Sequence, residues 1–156
     1  MVLTDWTLSS QWGDGSAVLD VATKYAGNSS LRLGAGTGWA KVTHNTFSST
    51  QMQVILWCRN TPEGVGYEGI IHSSYGTLSL QSYYTASTWE RFKATFWYDA
   101  PSNTRWGRLE KWNGSAWIQQ GTDTNFGAGS PATGSLQLRS YGTNNYGWFD
   151  ELEVYS

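Results

Sequence analysis

Gln51-Met52-Gln53-Val54-Ile55-Leu56-Trp57-Cys58-Arg59 alternates with a period of two. Met52, Val54, Leu56 and Cys58 form one wholly apolar set, and Gln53, Ile55, Trp57 and Arg59 form a mixed one. Successive side chains of a strand point to opposite faces, so this stretch reads as a strand buried on one side only. Glu90–Tyr98 repeats the pattern, with Phe92, Ala94 and Phe96 against Arg91, Lys93, Thr95 and Trp97. Further along, Leu109 points inward while Trp106, Arg108 and Glu110 point outward. Ile118 points inward between Trp117 and Gln119. Leu136 and Leu138 point inward, with Gln137, Arg139 and Tyr141 outward.

Outward from these anchors, short runs rich in β-branched and aromatic residues lie between clusters of Gly, Ser, Thr and Asn. Strands are expected at 5–9, 17–22, 30–34, 40–43, 51–59, 69–73, 78–83, 90–98, 105–111, 116–120, 135–141 and 148–154. No window has helical periodicity. The pattern predicts one all-β domain over 1–156, a two-sheet antiparallel sandwich. Asn113-Gly114, between Trp112 and Trp117, predicts a hairpin with a type I′ turn and a cross-strand tryptophan pair. Pro101 cannot donate to a ladder and marks a second turn over 98–103.

Composition narrows the function. Ten basic residues are spread along a chain of net charge -2, which excludes the basic footprint of a nucleic-acid binder and an anionic-membrane anchor. No stretch approaches the roughly 18 apolar residues of a membrane-inserting helix. The N-terminal residues lack the basic and apolar regions of a signal peptide. Cys58, the single cysteine, falls in an apolar set and reads as a core residue. Ten tryptophans exceed what a core of this size absorbs, so several are expected on a surface.

The outward sides of five strands together carry Trp57, Trp97, Trp106, Trp117, Tyr141, Arg59, Arg108, Arg139, Gln53, Gln119 and Gln137. Indole faces stack on the apolar C–H face of a pyranose, and planar amides and guanidinium groups bond its hydroxyls. An exposed patch of this kind reads as a binding surface. The stacking residues are expected to be Trp57, Trp97, Trp106 and Trp117, with Tyr141 beside them and Arg59, Gln137 and Arg139 as hydrogen-bonding partners. Two other readings of the same residues stay open: a contact between protein subunits, and cover by the chain's own loops.

Three segments carry a family resemblance. Tyr25-Ala26-Gly27-Asn28-Ser29-Ser30-Leu31-Arg32-Leu33, Thr88-Trp89-Glu90-Arg91-Phe92-Lys93-Ala94 and Trp148-Phe149-Asp150-Glu151-Leu152-Glu153-Val154-Tyr155 resemble, in order and spacing, segments of the concanavalin A-like jelly-roll superfamily. That superfamily includes laminin-G-like and carbohydrate-binding modules. The resemblance implies a jelly-roll sandwich and a lectin-like, glycan-binding role outside the cell or on a virion surface. It also implies a structural Ca²⁺ at Asp150, with Asp5, Asp14 and Asp20 as candidate co-ligands for an ion that needs about six to eight oxygens. The alternative at Asp150 is a cap on backbone N–H groups. Phe149, Leu152 and Val154 cannot all reach the core under strict alternation, so a β-bulge is expected at Asp150-Glu151.

No catalytic pattern appears. Glycanases of the superfamily carry E-x-D-x-x-E, which Asp150-Glu151-Leu152-Glu153 does not match. Glu68 and Glu110 are isolated, and His44 and His72 have no metal spacing. The reading is a non-catalytic module for a polysaccharide or glycan. A virion or cell-surface structural subunit, pairing with itself or other subunits through the same patch, is the alternative, and a glycan hydrolase is the third.

Overall fold

The computed structural model describes residues 6–12, 16–35, 39–61, 69–72, 75–80, 82–140 and 145–155. The strands are β1 (Trp6–Trp12), β2 (Ser16–Asp20), β3 (Ser30–Ala35), β4 (Trp39–Ser49), β5 (Gln51–Asn60), β6 (Gly69–His72) and β7 (Gly76–Ser79). They continue with β8 (Glu90–Asp99), β9 (Thr104–Trp112), β10 (Trp117–Gln119), β11 (Thr124–Ala128), β12 (Ala132–Ser140) and β13 (Asn145–Tyr155). Two antiparallel sheets result. The smaller has the order β1-β4-β12-β6-β7. The larger runs β10-β9-β8-β5-β13-β3-β2, with β11 also paired to β9. The chain crosses from one sheet to the other at Thr50, whose carbonyl accepts from Tyr98 N at 2.9 Å.

The inward residues of both sheets meet as the sequence pattern requires. Leu31, Leu33, Met52, Val54, Leu56, Cys58, Phe92, Ala94, Phe96, Leu109 and Phe149 come from the large sheet. Val42, Leu78, Leu136 and Leu138 face them from the small one. Fully burying such a side chain stabilises by about 1.5–3 kcal/mol, which is what holds the two sheets together.

The bulge in β13 is present. Asp150 pairs with Trp57 and Glu153 with Ile55, so three steps on β13 face two on β5. Glu151 takes the left-handed conformation, with φ 49°. The extra residue lets Leu152 and Val154 pack against the core that holds Phe149.

Other expectations need correction. Leu78–Tyr83 is not one strand: β7 ends at Ser79, and a turn follows in which Tyr83 N donates to Leu80 O. The hairpin and the Trp112–Trp117 pair form, but without a type I′ turn. Asn113 and Gly114 belong to a loop over 113–116 in which only Gly114 has positive φ, 101°. Asn113 instead accepts from Ser115 N and Ala116 N through its side chain, a turn closed by an amide rather than by two left-handed residues. Ile118 lies on the inner side of its sheet yet is 46% exposed, because β10 is at the edge of the large sheet. Strand β11 was not expected. It continues the run of β10 along β9 after an interruption, since Gln119 pairs with Glu110 and Thr124 with Gly107: five steps against three. Its Phe126 lies 6.2 Å from Phe96, over a glycine at 107 where a Cβ would come within 2.6 Å of the Phe126 ring.

Candidate functional site

The outer face of the large sheet gathers most of the expected site. Register places residues in rows across the strands. One row is Gln51, Trp97, Trp106 and Asn125; the next is Gln53, Thr95 and Arg108; the next is Ile55, Lys93, Glu110 and Gln119. Trp97 and Trp106 are directly opposite on neighbouring strands. Their ring centroids are 6.4 Å apart and their planes differ by 12°, so the two indoles are stacked nearly parallel across the strands. Beside Trp97 opens a cleft of about 320 Å³ lined by Gln51, Gln53, Lys93, Thr95, Trp97, Arg108 and Glu110.

The charged groups of this cleft are fixed by neighbours. Arg108 makes two parallel bonds of 2.7 Å to Asp123, a residue of the interruption between β10 and β11. Gln119 Nε2 donates to the same carboxylate at 2.9 Å. The hydrogen bond from Arg108 is the main reason that the Asp123 carboxyl sits below the ordinary value of 3.8, and the same bond raises Arg108. Arg108 also lies over the Trp97 ring, 5.7 Å from its centroid. Lys93 pairs with Glu110 at 2.8 Å, each side chain only 16% exposed. Trp117 covers the cations of the sheet, with Lys93 Nζ 4.9 Å and Arg91 5.7 Å from its ring centroid.

Trp57 and Arg59 share this face but have other partners. Tyr25, from the loop after β2, stacks on Trp57 at 3.7 Å and 16°, and meets Trp89 edge-on at 6.1 Å. Arg59 Nε donates to Ser87 O at 2.9 Å, and the guanidinium lies 5.6 Å over Trp148. These residues tie two loops to the sheet, which is cover by the chain's own loops. Gln137 and Arg139 are not on this face. They belong to β12, in the middle of the small sheet, and alternate with the buried Leu136 and Leu138, so they face out on the opposite side of the sandwich. Alternation separates the two sides of a strand but does not name its sheet. Tyr141 lies outside the described residues.

Asp150 is 2% exposed and accepts from Tyr25 N, Ala26 N and Glu151 N at 3.0, 3.1 and 2.9 Å. Three backbone N–H groups directed at one carboxylate describe a cap. Asp20 accepts from Ala22 N, Thr23 N and Trp148 Nε1. The bond from Trp148 leads the causes that hold its carboxyl below 3.8. Among the described residues no three His, Cys, Asp or Glu side chains come together as a metal site. Asp5 and Asp14 lie outside the described residues.

Sequence reasoning missed Gln51 as part of the cleft and Asp123 as the partner that holds Arg108. The alternation that begins at Gln51 was a usable signal for the first. Nothing local marks Asp123, whose role depends on the interruption that turns it back onto Arg108. Among the described residues no helix is long and apolar enough to cross a membrane.

No protein-family model matches the chain, and no curated protein matches its sequence. Solved structures do match in shape. A cellulose-induced protein, Cip1, aligns over 100% of this chain and 93% of its own, with a TM-score of 0.59 at 13% identity. The CBM22-1 xylan-binding domain from Paenibacillus barcinonensis aligns over 96% of this chain and 83% of its own, with a TM-score of 0.41 at 11% identity. The lectin UEA-II, complexed with galactose, aligns over 96% and 100%, with a TM-score of 0.45 at 8% identity. The chain shares the β-sandwich fold of the Cip1 structure, with two antiparallel sheets of jelly-roll type.

Proposed function

We propose that this domain is a non-catalytic module that binds a polysaccharide or glycan in the cleft beside Trp97. The observation that carries the reading is Trp97, stacked with Trp106, in the wall of a cleft lined by amides, a hydroxyl and held charges. A flat apolar surface bordered by fixed polar groups suits a sugar ring, whose faces are apolar and whose rim is hydroxylated. Such a module would work outside the cell or on a virion surface, where glycans are met.

The acids of this face support binding rather than catalysis. Glycoside hydrolysis calls for two carboxyl groups across the scissile bond, one of them with a raised pKa. Here Glu110 is paired with Lys93 and Glu153 with Arg91. Asp123 is paired with Arg108 and shifted down, the direction opposite to a general acid.

The test is a glycan array with tryptophan fluorescence as a second readout. Binding that quenches fluorescence and disappears in Trp97→Ala is the expected result. Absence of any glycan ligand, with a stable oligomer in light scattering, would transfer the face to subunit contact and overturn the proposal.

A further inference from the structure

We infer that the cleft selects uncharged glycans over uronate-bearing ones, an inference that rests on the glycan-binding reading above. Two cations line it, and each already has an anion at contact distance. Lys93 Nζ is 2.8 Å from Glu110, and both side chains are largely buried. Arg108 presents its planar fork to Asp123 through two bonds of 2.7 Å, and Gln119 holds that carboxylate in place. A uronate entering the cleft would meet the Glu110 carboxylate beside Lys93, and an Arg108 already bonded to Asp123.

A uronate that pairs with Arg108 can use only the N–H groups left outside its bidentate bond to Asp123, and it meets a guanidinium whose charge that carboxylate already offsets. To pair with Lys93, it has to approach Glu110 in a half-buried setting, where like charges repel more than in water. Neutral groups are left to a ligand beside these compensated charges. The Gln53 amide and the Thr95 hydroxyl lie on the floor with no partner among the described residues, and both can donate and accept. Hydroxyls, which also donate and accept, match them. The paired carboxylates thus act against acidic ligands while the Trp97 indole and the amide serve neutral ones, which is specificity by exclusion as well as attraction.

The experiment uses a glycan array carrying neutral and uronate-containing oligosaccharides, followed by affinity electrophoresis on hydroxyethylcellulose, galactomannan and polygalacturonate. Hits confined to neutral glycans, at about tenfold or more over acidic ones and insensitive to salt, are the expected result. Uronate ligands that bind the parent protein and are lost in Trp97→Ala would overturn this inference while leaving glycan binding intact. No hit of either kind would overturn both. Asp123→Asn frees the Arg108 fork and is expected to gain polygalacturonate binding that weakens with salt, its fold checked by circular dichroism. An Asp123→Asn protein that stays folded and gains nothing would mean that Asp123 does not guard the cleft, against the inference.

Discussion

The outer face of the large sheet has two halves built from the same kinds of side chain and put to different uses. Around Trp57, Arg59 and Trp148, the aromatic and cationic groups are consumed by the protein: Tyr25 lies on Trp57, Arg59 on Trp148, and Asp150 and Asp20 anchor the loop that brings Tyr25. Trp97 and Trp106 stack on each other, no loop residue stacks on either among the described residues, and a cleft opens beside Trp97. The division crosses β5, with Gln51 and Gln53 in the open half and Trp57 and Arg59 in the sealed one. An exposed-looking tryptophan on an alternating strand is therefore a necessary sign of a binding surface and not a sufficient one. What decides is whether another part of the chain reaches it first.

The sharpest way to break the sealed half is Asp150→Ala. It removes the acceptor of three backbone N–H groups, and leaving buried donors unpaired costs about 1–3 kcal/mol each at the outset, partly regained as the loop relaxes to water. A loss of about 3 kcal/mol in urea unfolding is expected, with Ca²⁺ or a chelator changing the midpoint of neither the parent nor the variant. Next in size is Trp97→Ala in the open half. Central aromatic anchors are worth about 2 kcal/mol or more in binding, so titration calorimetry should show at least about a thirtyfold loss of glycan affinity with little change in unfolding midpoint. The mirror experiment, Trp57→Ala, should do the reverse. Losing the Tyr25 stack and part of a half-buried indole costs about 1.5 kcal/mol of stability and leaves affinity within about twofold. Equal losses of affinity at Trp57 and Trp97 would erase the distinction between the halves.

The smallest expected effect is on pH dependence. Asp20 in the sealed half and Asp123 in the open one both have carboxyl groups below the ordinary 3.8 when folded. Each contributes stability that is complete above the unfolded value and is lost as pH falls through the lower folded one. Asp20→Asn should therefore flatten the fall in stability below about pH 4. Asp123→Asn should flatten it less, because its partner Arg108 is more exposed and water screens the pair. Identical slopes in the parent and both variants would remove either carboxylate from the acid response.

How much was legible follows from the range of each interaction. Alternation in Gln51–Arg59 and Glu90–Tyr98 correctly sorted Met52 to Cys58 and Phe92 to Phe96 into the core, because which side of a strand a residue takes is settled by its own position in the pleat. The bulge at Asp150 could be foreseen because three apolar residues in one short strand demanded it. Strand β11 could not: Thr124–Ala128 has no apolar alternation, and its place depends on the edge of β9 being available after β10 breaks off. Alternation puts Gln137 and Arg139 on the outward side of their strand but leaves their sheet open, since sheet membership is a matter of pairing between distant segments.

By itself the sequence determined an all-β sandwich, its inward set, and a surplus of tryptophans with polar neighbours facing out, all consequences of a two-residue period that each strand carries alone. Only the tertiary structure decided which of those tryptophans stay open. Tyr25 reaches Trp57 from a loop held by Asp150, 125 positions along the chain, and Asp123 reaches Arg108 from the break in an edge strand. Contacts of that kind depend on where the folded chain returns, which no local pattern of residues encodes.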